Sequence, residues 1–258
     1  MEILNIFIIS IIFTIVFNIN DQIFITFGQF VPSGRLVASS EIIGDRLYVI
    51  GGGVSPTGTF ATAKVSRDII YLDLSKDFNI NSPPWVNYSQ GSLPVLSSWA
   101  DSCKNKDDKT IYVFGGVILD VNTNSYITDI NKQIYVFDTV ASTWASPFAT
   151  GSDVAPTRRR EQKTVMDDLG RMFVFGGISD TVTGFNITTW YNDMTIFDSK
   201  KFIWTRINPS GPPTLRADFT ATYLPKNGLI IYIGGRLSDT SDVNINEVIS
   251  LRVNLLRI

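Results

Sequence analysis

In four places an apolar strand of four residues runs straight into a pair of glycines: Leu47-Tyr48-Val49-Ile50-Gly51-Gly52, Ile111-Tyr112-Val113-Phe114-Gly115-Gly116, Met172-Phe173-Val174-Phe175-Gly176-Gly177 and Ile230-Ile231-Tyr232-Ile233-Gly234-Gly235. The first glycines lie 64, 61 and 58 residues apart, so a unit of about sixty residues repeats down the chain. Repetition on that scale means one supersecondary unit stacked against copies of itself, which constrains the fold before any single residue is weighed.

Aligning on the glycines makes the rest of the unit legible. Sixteen to eighteen residues upstream stands Pro-x-x-Arg, as Pro32/Arg35, Pro156/Arg159 and Pro213/Arg216, with Pro94/Ser97 as the variant second copy. Downstream by 22 or 23 residues an apolar strand ends in Asp73, Asp138 or Asp198; the fourth copy ends its strand in Arg252. Trp144 and Trp204 follow their aspartates by six residues and Trp85 follows by twelve. Each unit thus holds four short apolar runs separated by turn residues, without helical periodicity, which predicts an all-β fold.

This order of features resembles the kelch repeat of β-propellers, with the glycine pair closing the second strand and the tryptophan opening the fourth. The resemblance spans residues 23–258 and implies about four blades of four antiparallel strands, at roughly 32–90, 94–150, 156–208 and 213–258. Family members usually carry a histidine three residues after the arginine; those positions hold Ala38, Ala100, Gln162 and Phe219 here. The unit has a physical rationale. Glycine lets backbone approach closely at a crowded centre. Tryptophan has the area to fill the wedge where radiating sheets diverge. The strand-ending aspartates suit caps of the turn that follows.

The fourth unit lacks a tryptophan strand. Trp85 and Trp204 each precede the next proline by nine residues, and nine back from Pro32 is Ile23. Residues 23–27, Ile-Phe-Ile-Thr-Phe, therefore have the position and alternation of a missing outer strand, expected to complete the last blade and close the ring. A truncated copy of a longer propeller is the alternative. Ile3 to Phe17 is almost unbroken Ile, Phe, Leu and Val, shorter than the roughly twenty residues of a membrane span. Residues 1–20 read as a signal peptide, with an uncleaved anchor over 3–17 as the alternative, leaving 21–258 as the propeller. The sequons at Asn87 and Asn186 fit a glycosylated, secreted or cell-surface chain.

No histidine occurs among 258 residues, which removes Ser-His-Asp triads, Cys-His pairs and imidazole metal sites together. Galactose oxidase shares this repeat and binds copper through two histidines and a tyrosine cross-linked to cysteine, so the resemblance does not extend to that centre. Neither a metal nor any other cofactor is expected, and Cys103, the single cysteine, reads as a small buried residue. A net charge of −2 leaves no basic excess for nucleic acid. The run Arg158-Arg159-Arg160, with Glu161, Asp167 and Asp168 nearby, reads as a solvated face or pocket lip.

Because strands alternate in direction within a blade, Arg35, Arg159 and Arg216 share a face with the stretches after each glycine pair: Val54 to Arg67, Val117 to Asn131, Ile178 to Asn192 and Leu237 to Asn246. In some kelch adaptors arginines at this position bind acidic groups of a partner. The resemblance thus implies partner-binding roles for Arg35, Arg159 and Arg216. The opposing reading has each pair with a backbone carbonyl or an acidic side chain of the adjacent blade. Phe60, Tyr126, Phe185, Trp190 and Tyr191 are the aromatic candidates for the same face. A non-catalytic module binding a protein or glycan is the expectation, without catalytic residues. The alternative is a propeller enzyme using carboxylates and arginines.

Overall fold

Short runs of β-branched and aromatic residues, ended by glycine or by a capping aspartate, pair with their sequence neighbours because the turns between them are brief. The computed structural model describes residues 30–55, 57, 63–129, 132–208 and 213–253. The expected signal segment, the closing strand at 23–27 and Phe60 lie outside the described residues.

The first unit holds β1 (Arg35–Leu36), β2 (Ser39–Ile43), β3 (Arg46–Ile50), β4 (Gly53–Val54), β5 (Lys64–Val65), β6 (Ile69–Asp73) and β7 (Trp85–Asn87). The second holds β8 (Leu96–Ser98), β9 (Asp101–Lys104), β10 (Thr110–Phe114), β11 (Val117–Leu119), β12 (Ile134–Asp138) and β13 (Thr143–Ala145). The third holds β14 (Lys163–Met166), β15 (Arg171–Phe175), β16 (Ile178–Ser179), β17 (Thr189–Trp190), β18 (Met194–Asp198) and β19 (Ile203–Ile207). The fourth holds β20 (Thr220–Leu224), β21 (Leu229–Ile233), β22 (Arg236–Ser238), β23 (Ser241–Asp242) and β24 (Val248–Arg252).

Four antiparallel sheets result, ordered β2-β3-β6-β7, β9-β10-β12-β13, β14-β15-β18-β19 and β20-β21-β24. They are the expected propeller blades, the last with three strands among the described residues. The innermost strands sit side by side, β2 on β9, β9 on β14 and β14 on β20.

Period-2 alternation gives each blade two faces, and facing blades interlock. Tyr48, Ile50 and Ile69 of the first pack on Ile111, Val113 and Phe137 of the second. Tyr112, Phe114 and Ile134 meet Met172, Val174 and Phe197 of the third. Phe173, Phe175 and Met194 meet Ile230, Tyr232 and Leu251 of the fourth. Trp144 and Trp204 fill the outer wedges as their size predicts, whereas Trp85 is half-buried. Trp144 stacks on Phe137 at 4.8 Å and donates its indole N–H to the Gly91 carbonyl across the blade boundary at 2.7 Å. Trp204 lies against Phe114 of the second blade and Phe197 of its own.

The strand-ending aspartates cap the following turn. Asp138 accepts from the Val140 and Ala141 amides, Asp198 from Lys200 and Lys201, and Asp73 from Ser75, all at 2.9 Å. Cys103 is buried between the second and third blades, and burial pushes its thiol well above the ordinary range.

The glycine pairs join neighbouring blades. The second glycine donates to the carbonyl of the Arg position one blade on: Gly52 to Ser97 at 2.7 Å, Gly116 to Arg159 at 2.7 Å and Gly177 to Arg216 at 2.9 Å. Gly176, the first glycine of its pair, has φ +65°, and a Cβ there would stand 2.5 Å from the Arg216 carbonyl oxygen of the next blade. Gly234 differs, since a Cβ would meet nothing nearer than the Ile245 side chain at 3.7 Å. Gly176→Ala is therefore expected to cost about 3 kcal/mol and Gly234→Ala, at the equivalent position, about 1 kcal/mol, the left-handed backbone alone, by chemical denaturation. Equal losses would contradict the inter-blade role.

Candidate functional site

Each unit enters its blade along a short outer segment and then changes partner. In the first, Leu36 pairs with Gly53 beyond the glycine pair, and Ser39 with Ile50 before it. Ser98 with Val117, Arg160 with Ile178 and Ala217 with Arg236 repeat the outer pairing. The switch turns the backbone left-handed at one residue per blade: Val37 (φ +48°), Trp99 (+58°), Glu161 (+60°) and Asp218 (+54°). For a β-branched or bulky side chain this costs of order 1–3 kcal/mol. Nothing in the local sequence announces these four, because none is glycine or asparagine. The stretches after the glycines begin as short paired strands, β4 with β5 and β16 with β17. In the third blade a 3-10 turn, Thr181–Thr183, capped by Asp180, lies between them.

The three motif arginines fold back on their own blades. Arg35 donates to the Gly51 carbonyl at 2.6 Å and faces Asp68 at 3.5 Å. Arg159 donates to the Gly176 carbonyl at 3.2 Å and to both oxygens of Asp193 at 2.5 and 3.2 Å, with Tyr191 stacked 3.7 Å away. Arg216 donates to the Gly234 carbonyl at 3.2 Å, to Thr214 and to Glu247. Arg159 is 1% exposed and Arg216 0%. The three guanidinia are thus engaged by carbonyls and carboxylates of their own blade, Arg159 and Arg216 buried and Arg35 half-buried, which is a structural part for each. They also pair within a blade, not across to the adjacent one.

The run at 158–160 splits in three directions and is no solvated face, while its reading as a pocket lip holds for Arg158, which lines a cavity of about 180 Å³ with Ile127, Thr157 and Phe185. Arg158 is buried, donates to the Thr183 and Ile127 carbonyls, and lies over Tyr126 and Phe185 at 5.5 and 5.6 Å. Arg160 donates twice to Asp180, at 3.0 and 2.6 Å, touches Glu161 and lies 4.9 Å over the Trp99 ring. Asp167 instead pairs with Arg171 at 2.7 Å.

From the fourth blade Arg236 reaches Glu161 at 2.5 Å, Asp218 at 2.8 Å and Asp239 at 2.7 Å, 5.0 Å over Trp190. Arg236 thus ties together the two carboxylates at left-handed positions, Glu161 and Asp218, while lying over the Trp190 ring. Trp99, held under Arg160, also lines a cavity of about 240 Å³, with Leu36, Val37, Leu119, Tyr126 and Val182 among others. Tyr126 and Val182 are each 41% exposed at its rim. The sequon asparagines Asn87 and Asn186 are both exposed.

Below the face, on the inner strands, Glu41 accepts from Ser102 Oγ at 3.3 Å, and Asp101 from Lys163 Nζ at 2.9 Å and the Thr164 amide at 2.6 Å. Burial, then the neighbouring Asp101 charge, push the Glu41 carboxyl up to about 7. No group of three or more His, Cys, Asp or Glu with the geometry of a metal site occurs among the described residues.

Blades of four antiparallel strands, tied at glycine pairs and carrying their variable segments at one end, define a β-propeller. A family model described as the KLHDC2/KLHL20/DRC7 Kelch-repeats domain matches residues 37–256, and the chain belongs to that kelch-repeat family. It is similar to human Kelch domain-containing protein 1, 26% identical over 220 residues that cover 76% of this chain and 49% of the relative. The chain thus spans about half the length of that relative. The solved structure of YjhT shares the fold with a TM-score of 0.56 at 13% identity, over 86% of this chain and 66% of that one.

Two outcomes test the site's energetics. Arg159→Ala strands Asp193 and the Gly176 carbonyl, with an expected loss of about 3 kcal/mol in denaturant unfolding. For Glu41, the folded carboxyl holds its proton at higher pH than the unfolded one, so the folded state binds the extra proton between the ordinary value and about 7, and stability falls as pH rises through that window. Glu41→Gln should therefore raise the melting temperature more at pH 8 than at pH 4.5.

Proposed function

We propose that this chain is a non-catalytic protein-interaction module that receives an apolar side chain of its partner at the loop end, in the cavity beside Trp99. The observation that carries this reading is the pairing of an apolar, open cavity with rings whose orientation is held: Arg160 clamps Trp99, and Arg158 lies over Tyr126. Rigid aromatic groups give up little conformational freedom on binding, which favours them as anchors. Membership of the kelch-repeat family supports an interaction role. We extend the proposal to the secretory pathway on the two exposed sequons, Asn87 and Asn186, with a glycoprotein partner or glycan as the narrower ligand class.

Affinity capture with the full chain and with Tyr126→Ala or Val182→Asp tests the cavity. Both residues are exposed at its rim, so the fold should survive, and binding of captured proteins should fall at least about tenfold. Undiminished binding by two folded variants overturns the reading. Peptide mapping after expression in a secreting eukaryotic cell should find glycans on Asn87 and Asn186, and unmodified asparagines on intracellular protein would remove the secretory part.

A further inference from the structure

At the end of the blades opposite the glycine pairs, β3, β10 and β15 begin and β6, β12 and β18 end, in the registers Arg46↔Asp73, Thr110↔Asp138 and Arg171↔Asp198. Between the first two blades the turns at this end frame a cavity of about 560 Å³, a size that suits a small molecule. Asp45, Arg46, Tyr48, Asp73, Asp108 and Lys109 are among its lining residues. Both sides of this boundary are tied together. The Gly44 amide donates to Asp108 at 3.2 Å, the Tyr88 hydroxyl meets that of Ser142, and Tyr48 packs edge-on against Phe137.

Arg46 and Arg171 hold the same position in their blades, yet their surroundings differ. Arg171 is engaged, donating to Asp167 at 2.7 Å and to the Val253 carbonyl at 3.0 Å. Arg46 is exposed, lies 4.7 Å over the Tyr71 ring, and among the described residues its guanidinium donates to the Tyr48 hydroxyl alone, at 3.4 Å. Asp73, opposite it in the sheet, accepts from the Ser75 amide instead. Ring and phenol thus hold the guanidinium without neutralising it. Of the lysines between β9 and β10, Lys104 pairs with Asp108 at 2.6 Å and Lys106 with Asp168 at 3.6 Å. Lys109, which lines the cavity, enters no ion pair among the described residues.

We propose that this cavity binds a phosphate monoester of a hydroxylated small molecule, such as a sugar phosphate, with the phosphate held by Arg46 and Lys109. Such an ester carries about −1.5 to −2 charges at neutral pH, which two uncommitted cations match. A guanidinium fork takes two phosphate oxygens, and an ammonium adds a point charge. The carboxylates on the same walls set the rest of the ligand. Asp108 is committed to Lys104 and the Gly44 amide, whereas Asp45 and Asp73 can accept hydroxyls and would repel a second anionic group. A body with hydroxyls beside one phosphate satisfies both. Neither sequon asparagine lines the cavity, which shares no residue with the one beside Trp99, so the proposal is independent of the binding reading above.

Isothermal titration of the full chain with glucose-6-phosphate tests it, with glucose, inorganic phosphate and glucose-6-sulfate as comparisons. The ester should bind with a dissociation constant of about 1 mM or tighter, and glucose or inorganic phosphate alone at least about tenfold more weakly. Arg46→Gln and Lys109→Gln should each weaken the ester at least about tenfold, with the fold intact, because both side chains are exposed. Lys226→Gln, which removes an exposed turn lysine outside the cavity, should change nothing. Circular dichroism checks that the variants fold. No saturation up to about 10 mM ester, or undiminished binding by Arg46→Gln or Lys109→Gln, would overturn the proposal. So would an equal loss in Lys226→Gln, inorganic phosphate binding as tightly as the ester, or tighter binding of the sulfate.

Discussion

The amide of the second glycine in each pair donates to a main-chain carbonyl of the following blade, in contacts of 2.7, 2.7 and 2.9 Å. Much else follows from how close that approach is. Two backbones meet with no side chain between them: on Gly51 or Gly176, the first glycine of its pair, a Cβ would stand 2.4 or 2.5 Å from the next blade's carbonyl oxygen, so that position calls for glycine at positive φ. The joint fixes the distance between sheets at their inner ends, and divergence farther out leaves wedges that Trp144 and Trp204 fill. A short backbone joint at the centre and a large aromatic at the rim are two consequences of one radial geometry.

The same joint explains why the motif arginines are buried. The carbonyl that receives the glycine amide belongs to the Arg position, while the guanidinium turns back to the first glycine of its own pair and to a carboxylate. Arginine suits this place because its fork serves a carbonyl and a carboxylate together. Two residues farther on, the chain exchanges an outer partner for an inner one and is driven left-handed at Val37, Trp99, Glu161 and Asp218. Two of those strained residues, Val37 and Trp99, line the apolar cavity at the loop end, whereas the Pro-x-x-Arg guanidinia turn back into their own blades.

Strand positions, blade order and the structural parts played by glycine, tryptophan and aspartate were legible because each depends on local pattern and fixed spacing. Cys103 as a small buried residue was legible for the same reason. The destinations of Arg158, Arg159 and Arg160 were not. Consecutive residues leave the backbone in different directions, and where one enters an irregular segment with a left-handed residue next to it, no periodicity says which direction is which. Arg236 was overlooked as well, although it stands directly after the fourth glycine pair. Its partners Glu161 and Asp218 belong to other segments of the chain, and charge pairs formed at such separations leave no mark on the local sequence.

By itself, the sequence determined that this chain is a kelch-type array of β-sheet blades, because apolar alternation and the repeated glycines admit few other arrangements. Tertiary structure decided which polar groups are spent inside the blades and which rings are held at the loop end. It also decided that the fourth glycine pair, identical in sequence to the other three, stands beside no following carbonyl among the described residues. A repeat records what each unit offers to a neighbour. Whether a neighbour is there depends on the stacking of whole sheets, which no single unit encodes.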